Sequence, residues 1–465
     1  MANSISGAAS TNASTGLGQG IDVAQFVQLA LSGDNANIAN FQTTQSILSA
    51  QSTALAKITS DLTALQSTLF SLNDPLGALN SQTATSSNSN VLSATAASTA
   101  VAGSHAITVT SLATTSSYYT DALATASTPL GTGSFQIQVG SNTAVTVTAL
   151  SGGNYQLQVG NNPPVTVNSA DNTLNGLASA INSQGIGVSA NVINDANGAR
   201  LALVSQTSGA PGDITVTGNT TSLKFNKAVA GLNAALVVDG VPVSSTTNTV
   251  ANVINGVVLS LSSPSPSTPV TLTVASDTSK AADAVNQFVS AYNTAINDIN
   301  AQFAVKSDGT GGGPLEADGS LREAQSALLS AINYSVGGNG GIVNLSSLGV
   351  NLNNGGTLSV DSGTLSTALA GNSSNVQSFL QSATGFSHNL NTVLTSLIDP
   401  TAGALGLDAK GFAQSSQDVT NHISNLQAAL LIKQQSLTLI YSQVNATLQE
   451  LPLLQAQLSQ QLASA

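Results

Sequence analysis

Residues 41–72, FQTTQSILSAQSTALAKITSDLTALQSTLFSL, decide the fold class. Their large apolar side chains recur at intervals of seven, and a second row follows the last three by three positions. The first row is Phe41, Leu48, Leu55, Leu62 and Leu69, and the second is Ile58, Leu65 and Leu72. Two rows at this spacing are typical of the a and d positions of a long helix that packs along one face. The helix should end at Asn73-Asp74-Pro75, because proline lacks the amide hydrogen that helix continuation needs.

A similar pattern occupies the other end of the chain. Its rows are Ile423, Leu430, Leu437, Val444, Leu451 and Leu458, and Leu426, Lys433, Ile440, Thr447 and Leu454. Lys433 and Thr447 are polar residues at core positions, and Pro452 predicts a kink. From Gly411 onward the only formally charged side chains are Asp418, Lys433 and Glu450. A helix with so few charges needs a partner, because charged flanks normally keep a coiled coil soluble.

Two interpretations of these terminal rows remain open. They could pack as one bundle within a single chain, or they could complete their fold by assembling with other molecules. Their placement at the two extreme ends, outside everything else, favours assembly.

The N-terminal residues are rich in Ser, Ala, Gly, Thr and Asn, and residues 1–20 bury too little apolar surface to fold alone. Asp22 is a suitable N-cap for a helix over residues 23–31. We expect residues 1–40 to be a flexible segment that forms a terminal coiled coil with residues 411–465. The apolar faces before Phe41 and after Gly411 should have no partner within the monomer.

Between the terminal regions, residues 101–277 show the alternation of β-strands, as in Ala106-Ile107-Thr108-Val109-Thr110. A repeat is present: FQIQVG at 135–140 and VTV at 145–147 recur as YQLQVG at 155–160 and VTV at 165–167. Each copy predicts a hairpin with a Gly-containing turn. A helix over 174–182 and strands near 188–192 and 200–204 should follow. Helical spacing returns at 281–303, 321–332 and 375–397.

Composition excludes several classes of function. Charged residues are only 6% of the 465 residues, the net charge is −12, aromatic residues are 3%, and Trp is absent. This balance opposes binding to nucleic acid or anionic lipid. No basic, apolar leader opens the chain and no run of 18 apolar residues occurs, so neither a cleaved signal peptide nor membrane insertion is expected. Cysteine is absent, so disulfides and thiolate metal sites are excluded.

No group of residues in the sequence matches a known catalytic arrangement. The three histidines, His105, His388 and His422, lie far apart in sequence, and carboxylates are not clustered. Phosphate-binding, nucleophile-elbow and zinc-protease motifs are absent, and the run Gly337-Gly338-Asn339-Gly340-Gly341 is a single turn without an aspartate ligand. We therefore expect no catalytic residue, no metal and no cofactor.

One segment resembles a known family. Gly16-Leu17-Gly18-Gln19-Gly20-Ile21-Asp22 is similar to the N-terminal signature of flagellar cap proteins (hook-associated protein 2, FliD), with Gln19 where Ser is usual. Further similar segments follow in the family's order, covering nearly the whole chain. They are 102–113, 198–205, 233–241, 245–250, 254–259, 288–293, 356–361 and the C-terminal heptads.

The resemblance implies a homo-oligomeric ring, pentamer-like, at the filament tip. It implies that the ring helps exported flagellin to fold and insert. It also implies export by the flagellar type III apparatus without a cleaved signal, a chaperone on the C-terminal helix, an extracellular location, and for some members contact with host surface glycans or mucin. Alternatives are another axial protein, such as a hook–filament junction protein or flagellin, and a host-binding adhesin; a hydrolase fits least.

The expected fold is α+β, with β-rich head domains nested inside a helical leg. The leg should comprise 41–98 and 276–410, the inner head 99–130 and 228–275, and the outer head 131–227. The expected assembly residues are Phe41, Leu48, Leu55, Leu62, Leu69, Ile423, Leu426, Leu430, Leu437, Ile440, Val444 and Leu451. The signature residues are Gly16, Leu17, Gly18, Gly20, Ile21 and Asp22.

Overall fold

The computed structural model describes residues 20–151, 153–167, 172–305 and 311–463. Within these ranges the α-helices are α1 (Val23–Ala30), α2 (Ser32–Asn73), α3 (Leu174–Ser183), α4 (Thr278–Phe303), α5 (Gly319–Ile332), α6 (Ser362–Gly371), α7 (Ser373–Gln381), α8 (Phe386–Ile398) and α9 (Ala404–Ala463). The strands are β1 (Gln82–Ser86), β2 (Leu92–Ala96), β3 (Gly103–Ser111), β4 (Thr115–Thr120), β5 (Gly133–Val139), β6 (Val145–Ala149), β7 (Tyr155–Val159), β8 (Val165–Val167), β9 (Val188–Asp195), β10 (Gly198–Ser208), β11 (Ile214–Thr217), β12 (Phe225–Val229), β13 (Ala234–Val238), β14 (Val241–Ser245), β15 (Thr249–Ala251), β16 (Val257–Leu261), β17 (Val270–Ser276), β18 (Val350–Leu352) and β19 (Leu358–Val360). The predicted α+β class is confirmed.

The chain divides into two compact units. The first unit comprises 1–70, 286–364 and 378–465, and its described part is helical apart from the β18–β19 hairpin. The second unit comprises 71–285 and 365–377 and contains the other described strands. We call them the leg and the head.

The head has two hydrophobic cores. Sheets of order β1-β17-β3-β13-β14 and β15-β16-β2 supply the inner core, which includes Ile107, Leu236 and Leu272. Sheets of order β12-β4-β10-β9 and β11-β5-β6-β7-β8, with α3, supply the outer core around Phe135, Tyr155 and Leu201.

The sequence repeat forms the predicted pair of hairpins. β5 pairs with β6, β6 with β7 and β7 with β8, all antiparallel, so the two copies make one continuous meander. The turn glycines Gly140 and Gly160 have φ of 53° and 57°. At Gly140 the need for glycine is also steric, because a Cβ there would overlap the carbonyl oxygen of Pro211.

The domain boundaries differ from the expected ones. Residues 82–96, expected in the leg, form β1 and β2, which pair with β17 and β16 of the inner head. β4, expected in the inner head, pairs with β10 and β12 of the outer head. Both segments are short and rich in Ser and Thr, so their strand pairing depends on partners more than 80 residues away and is not readable locally.

The C-terminal half of α2 confirms that the two heptad rows lie on one buried face. Leu55, Ile58, Leu62, Leu65, Leu69 and Leu72 are each at most 1% exposed. The helix ends at Asn73, as Asn73-Asp74-Pro75 predicts. The helix predicted over 375–397 is instead two, α7 and α8, because Gly385 caps α8 and leaves no room for a side chain beside the Phe379 carbonyl.

Asparagine side chains clasp distant backbone segments. Asn248 accepts from the amide of Ala113 at 2.7 Å and donates to its carbonyl at 3.0 Å. Asn293 makes the same pair of bonds with Leu358, at 2.6 and 2.8 Å. Each clasp joins two of the segments on which the family resemblance depends. In a chain with so few charges, amide groups therefore take the place that ion pairs often have in tertiary structure.

Candidate assembly interface

The N-terminal helix begins where the sequence predicts. The Asp22 side chain accepts a hydrogen bond from the amide of Gln25 at 3.1 Å, so Asp22 is the N-cap of α1. Helix α1 ends at Ala30, with Leu31 as its C-cap, and α2 begins at Ser32.

Helix α9 runs antiparallel to α1 and to the start of α2. Phe26 lies against Tyr441 with ring centroids 5.8 Å apart, and Phe41 lies against His422 at 4.8 Å. The Gln45 side chain donates to the Thr420 hydroxyl at 2.8 Å. Residue numbers rise along one helix as they fall along the other, which defines the antiparallel direction.

The expectation that residues before Phe41 lack a partner within the chain is therefore wrong for residues 23–40. Val27, Leu31 and Ile38 are 5%, 3% and 8% exposed. The pairing with residues 411–465 was predicted, but the sequence gives no local sign that it forms within a single chain. The segment that was expected to be flexible forms helix from Val23 onward.

Lys433 explains one of the polar interruptions of the C-terminal heptad. Its ammonium group lies 2.7 Å from a carboxylate oxygen of Asp34 in α2. Both side chains remain about half exposed, at 52% and 40%, so the pair contributes little to stability. A polar residue at a core position fixes register instead, because only one alignment of the helices satisfies it.

The predicted C-terminal row is covered at its start and open at its end. Ile423 is buried, and Leu426, Leu430 and Leu437 are half-buried. Ile440, Val444 and Leu451 are 50%, 42% and 46% exposed, whereas Tyr441, Asn445 and Leu448 are half-buried. A straight helix drifts by about 20° per heptad from a strict repeat of 3.5, so after three or four heptads the row has turned away from its partner.

The turned-away row forms an apolar stripe with no cover among the described residues. We call Ile440, Val444, Leu451, Leu454, Leu458 and Leu462 the open stripe; each is at least 42% exposed. The expected kink at Pro452 does not interrupt it, since α9 is helical from Ala404 to Ala463.

The N-terminal row of assembly residues divides in the same way. Leu55, Leu62 and Leu69 are buried inside the leg, while Phe41 and Leu48 are only half-buried against α9 or solvent. The heptad spacing correctly places all five on one face, but it does not show how deeply each side chain is buried.

Of the signature residues, Gly16, Leu17 and Gly18 lie outside the described residues. Gly20 has φ of 73°, and Ile21 donates its backbone amide to the Asn445 side-chain oxygen at 2.8 Å. Asp22 caps α1. Asn445 itself was not predicted; its only sign in the sequence is an asparagine next to a heptad position near the end of a nearly uncharged helix.

The leg also contains a charged cluster on α2 and α4. Lys57 lies 3.1 Å from Asp61 and in direct contact with Asp298. Burial raises the pKa of Asp61, and the hydrogen bond with Asp298 raises it further. The same hydrogen bond, together with Lys57, holds the pKa of Asp298 below its usual range. Lys57, Asp61 and Asp298 thus form an electrostatic link between α2 and α4.

Among the described residues, no three His, Cys, Asp or Glu side chains are placed to hold a metal ion. None of the helices in the described ranges combines the length and apolar character that a membrane span requires.

Comparison with known proteins identifies the family. Models of the flagellar hook-associated protein 2 N-terminus and C-terminus match residues 19–116 and 231–452. The B-type flagellar hook-associated protein 2 of Pseudomonas aeruginosa PAO1 is 30% identical over 443 residues, covering 89% of each chain. The flagellar hook-associated protein 2 of Escherichia coli K12 is 25% identical, covering 88% of each.

A solved structure extends the likeness to the fold. The crystal structure of the flagellar cap protein FliD D1-D2-D3 domains from Escherichia coli superimposes with a TM-score of 0.57 at 26% identity, covering 77% of this chain and 99% of that one. The residues matched by the two family models include the capping residue Asp22, the inner-head strands and α9 as far as residue 452. The chain belongs to the flagellar hook-associated protein 2 family.

Proposed function

We propose that this chain is a structural cap at the tip of the bacterial flagellar filament and has no catalytic activity. The observation that carries the proposal is the open stripe of α9, which leaves six large apolar side chains exposed on one helix face. Exposed apolar surface of this kind marks a protein-interaction site. The similar solved structure is that of a flagellar cap protein, which supports a role for the stripe in assembly.

In this proposal several copies form a ring in which the open stripe is covered. The ring promotes folding and insertion of exported flagellin, so it is required for filament elongation and motility. A chaperone covers the C-terminal helix before export through the flagellar type III apparatus. The protein then resides outside the cell, at the flagellum tip. The low charge and the lack of cysteine suit a chain that is exported unfolded.

The open stripe predicts which substitutions abolish assembly. Changing Val444→Asp and Leu451→Asp together puts two charges into the stripe seven residues apart. Because neither residue lies on the face that packs against α1, the single chain should fold as before. We expect a deletion strain that carries this double variant to build short filaments or none, to release flagellin into the medium and to swim poorly.

The matched control is Gln435→Asp with Ser442→Asp. Both residues are exposed on α9, are seven apart and lie on another face, so this variant adds the same charge to the same helix. The control strain should swim normally. Normal filaments in the Val444→Asp, Leu451→Asp strain would refute the stripe as the assembly surface, and normal filaments in the deletion strain itself would refute the cap function.

A further inference from the structure

The start of α1 makes a polar contact with the C-terminal half of α9. The Ile21 amide donates to Asn445 Oδ1 at 2.8 Å, across 424 residues of sequence. Asn445 is half-buried, and the neighbouring residues Val444 and Ala446 are exposed. The side chain is thus turned toward the N-terminal segment, on a helix whose other polar residues mostly face solvent.

Gly20 is shaped to fit the same asparagine. Its φ of 73° lies in the left-handed region that glycine adopts without strain. A Cβ at this position would overlap Asn445 Oδ1 and would also crowd the Gln449 amide. The glycine therefore serves both the backbone turn and the close approach of that turn to α9.

We propose that Asn445 is the positioning residue that sets the register of the terminal helix pair by recognising Gly20 and Ile21. Asn445 accepts a hydrogen bond from the Ile21 amide, next to the Asp22 cap. Its close approach leaves no room for a side chain at position 20. Asp34 and Lys433 supply the second fixed point, about three helical turns away along α9. Together with the Gln45–Thr420 hydrogen bond, these polar contacts select one alignment, which the apolar contacts alone would leave free to slip by a heptad.

The inference accounts for part of the signature in physical terms. Gly20, Ile21 and Asp22 act consecutively: a glycine for close approach, an amide for recognition and a carboxylate that caps the helix. It does not depend on the cap function, because every contact lies within one chain.

The test is hydrogen exchange of the peptide covering residues 20–31, measured by mass spectrometry on the full chain. Asn445→Leu keeps the size of the side chain but removes the acceptor, and it should speed exchange about two- to tenfold, the effect of losing one hydrogen bond. Asn445→Asp keeps an oxygen acceptor and should retain the protection. The exposed neighbour Gln443→Ala should change nothing.

A double-mutant cycle separates recognition from mere packing. Gly20→Ala should speed exchange more than tenfold in the natural chain, since the new Cβ meets Asn445. In the Asn445→Ala background, Gly20→Ala should speed exchange by a factor at least about three times smaller than in the natural chain, because the overlap with Asn445 is gone and only the backbone strain and the crowding by Gln449 remain. Equal costs in the two backgrounds, or unchanged exchange in Asn445→Leu, would overturn the proposal.

Discussion

The two halves of α2 carry the same heptad pattern and lie in different surroundings. Leu55, Leu62 and Leu69 are fully buried within the leg, where α4, α5 and α8 also lie. Leu48 and Phe41, one and two heptads before Leu55, are only half-buried, and the helix nearest to them is α9. A heptad pattern thus predicts which face of a helix is apolar, whereas the number of neighbouring elements decides how deeply that face is buried.

The same contrast holds for polar contacts. In the packed part of the leg, Asn293 of α4 bonds to both backbone groups of Leu358. In the terminal helix pair, Asn445 of α9 makes one bond to Ile21. We therefore expect the covered region to hold most of the stability of the leg, and the open region to be available for assembly.

The largest expected difference in stability is between two leucines of the same row. Leu62→Ala removes a side chain with 0% exposure and leaves a cavity, which should lower the free energy of unfolding of the leg by about 2–5 kcal/mol. Leu48→Ala, fourteen residues earlier, should cost less than about 1.5 kcal/mol, because much of that side chain already contacts water. Urea denaturation followed by helical circular dichroism measures both. Equal losses would show that the open half is packed as well as the covered half.

The asparagine clasps should give the next largest difference. Asn293→Ala leaves the amide and carbonyl of Leu358 without their partner and should cost about 1–3 kcal/mol. Asn445→Ala should cost under about 1 kcal/mol, because its one partner lies near the open end of the helix pair and regains water. The same denaturation experiment applies, and a larger loss for Asn445→Ala than for Asn293→Ala would contradict the comparison.

The smallest effect should appear at the boundary between the two halves, where Lys57, Asp61 and Asp298 meet. The raised pKa of Asp61 means that its contribution to stability is complete below about pH 3.8 and is lost as pH rises through its folded pKa. The lowered pKa of Asp298 has the opposite sign, so its contribution is present at neutral pH and is lost on acidification.

Asp61→Asn should therefore be neutral or slightly stabilising at pH 7, since it removes one of two neighbouring carboxylates and its amide can donate a hydrogen bond to Asp298. Asp298→Asn should be destabilising by under about 1 kcal/mol at the same pH. Thermal unfolding at pH 4, 5.5 and 7 compares the two variants. If both lost the same stability at pH 7, the opposite directions of the two pKa shifts would be incorrect.

The sequence alone predicts the elements of this molecule better than their contacts. Regular spacing located α1, the end of α2, the repeat hairpins and most of α9, because these signals are local. The strands at 82–96 and the division of 375–397 into α7 and α8 were missed, since they depend on distant strands or on one close contact at Gly385. The packing depth of the C-terminal row was not readable either, because the drift of a straight helix turns Val444 and Leu451 away from α1.

The central claim is that the paired terminal helices are the assembly element and that the head folds independently of them. The most direct test is the double variant Leu430→Asp, Leu437→Asp, which places two charges on the half-buried face of α9. A deletion strain is complemented with this variant, and filament length, secreted flagellin and swimming are measured, with β-sheet circular dichroism of the purified protein as the folding control. We predict a normal head signal, absent or short filaments, flagellin in the medium and poor swimming. Full-length filaments with normal swimming would contradict the account.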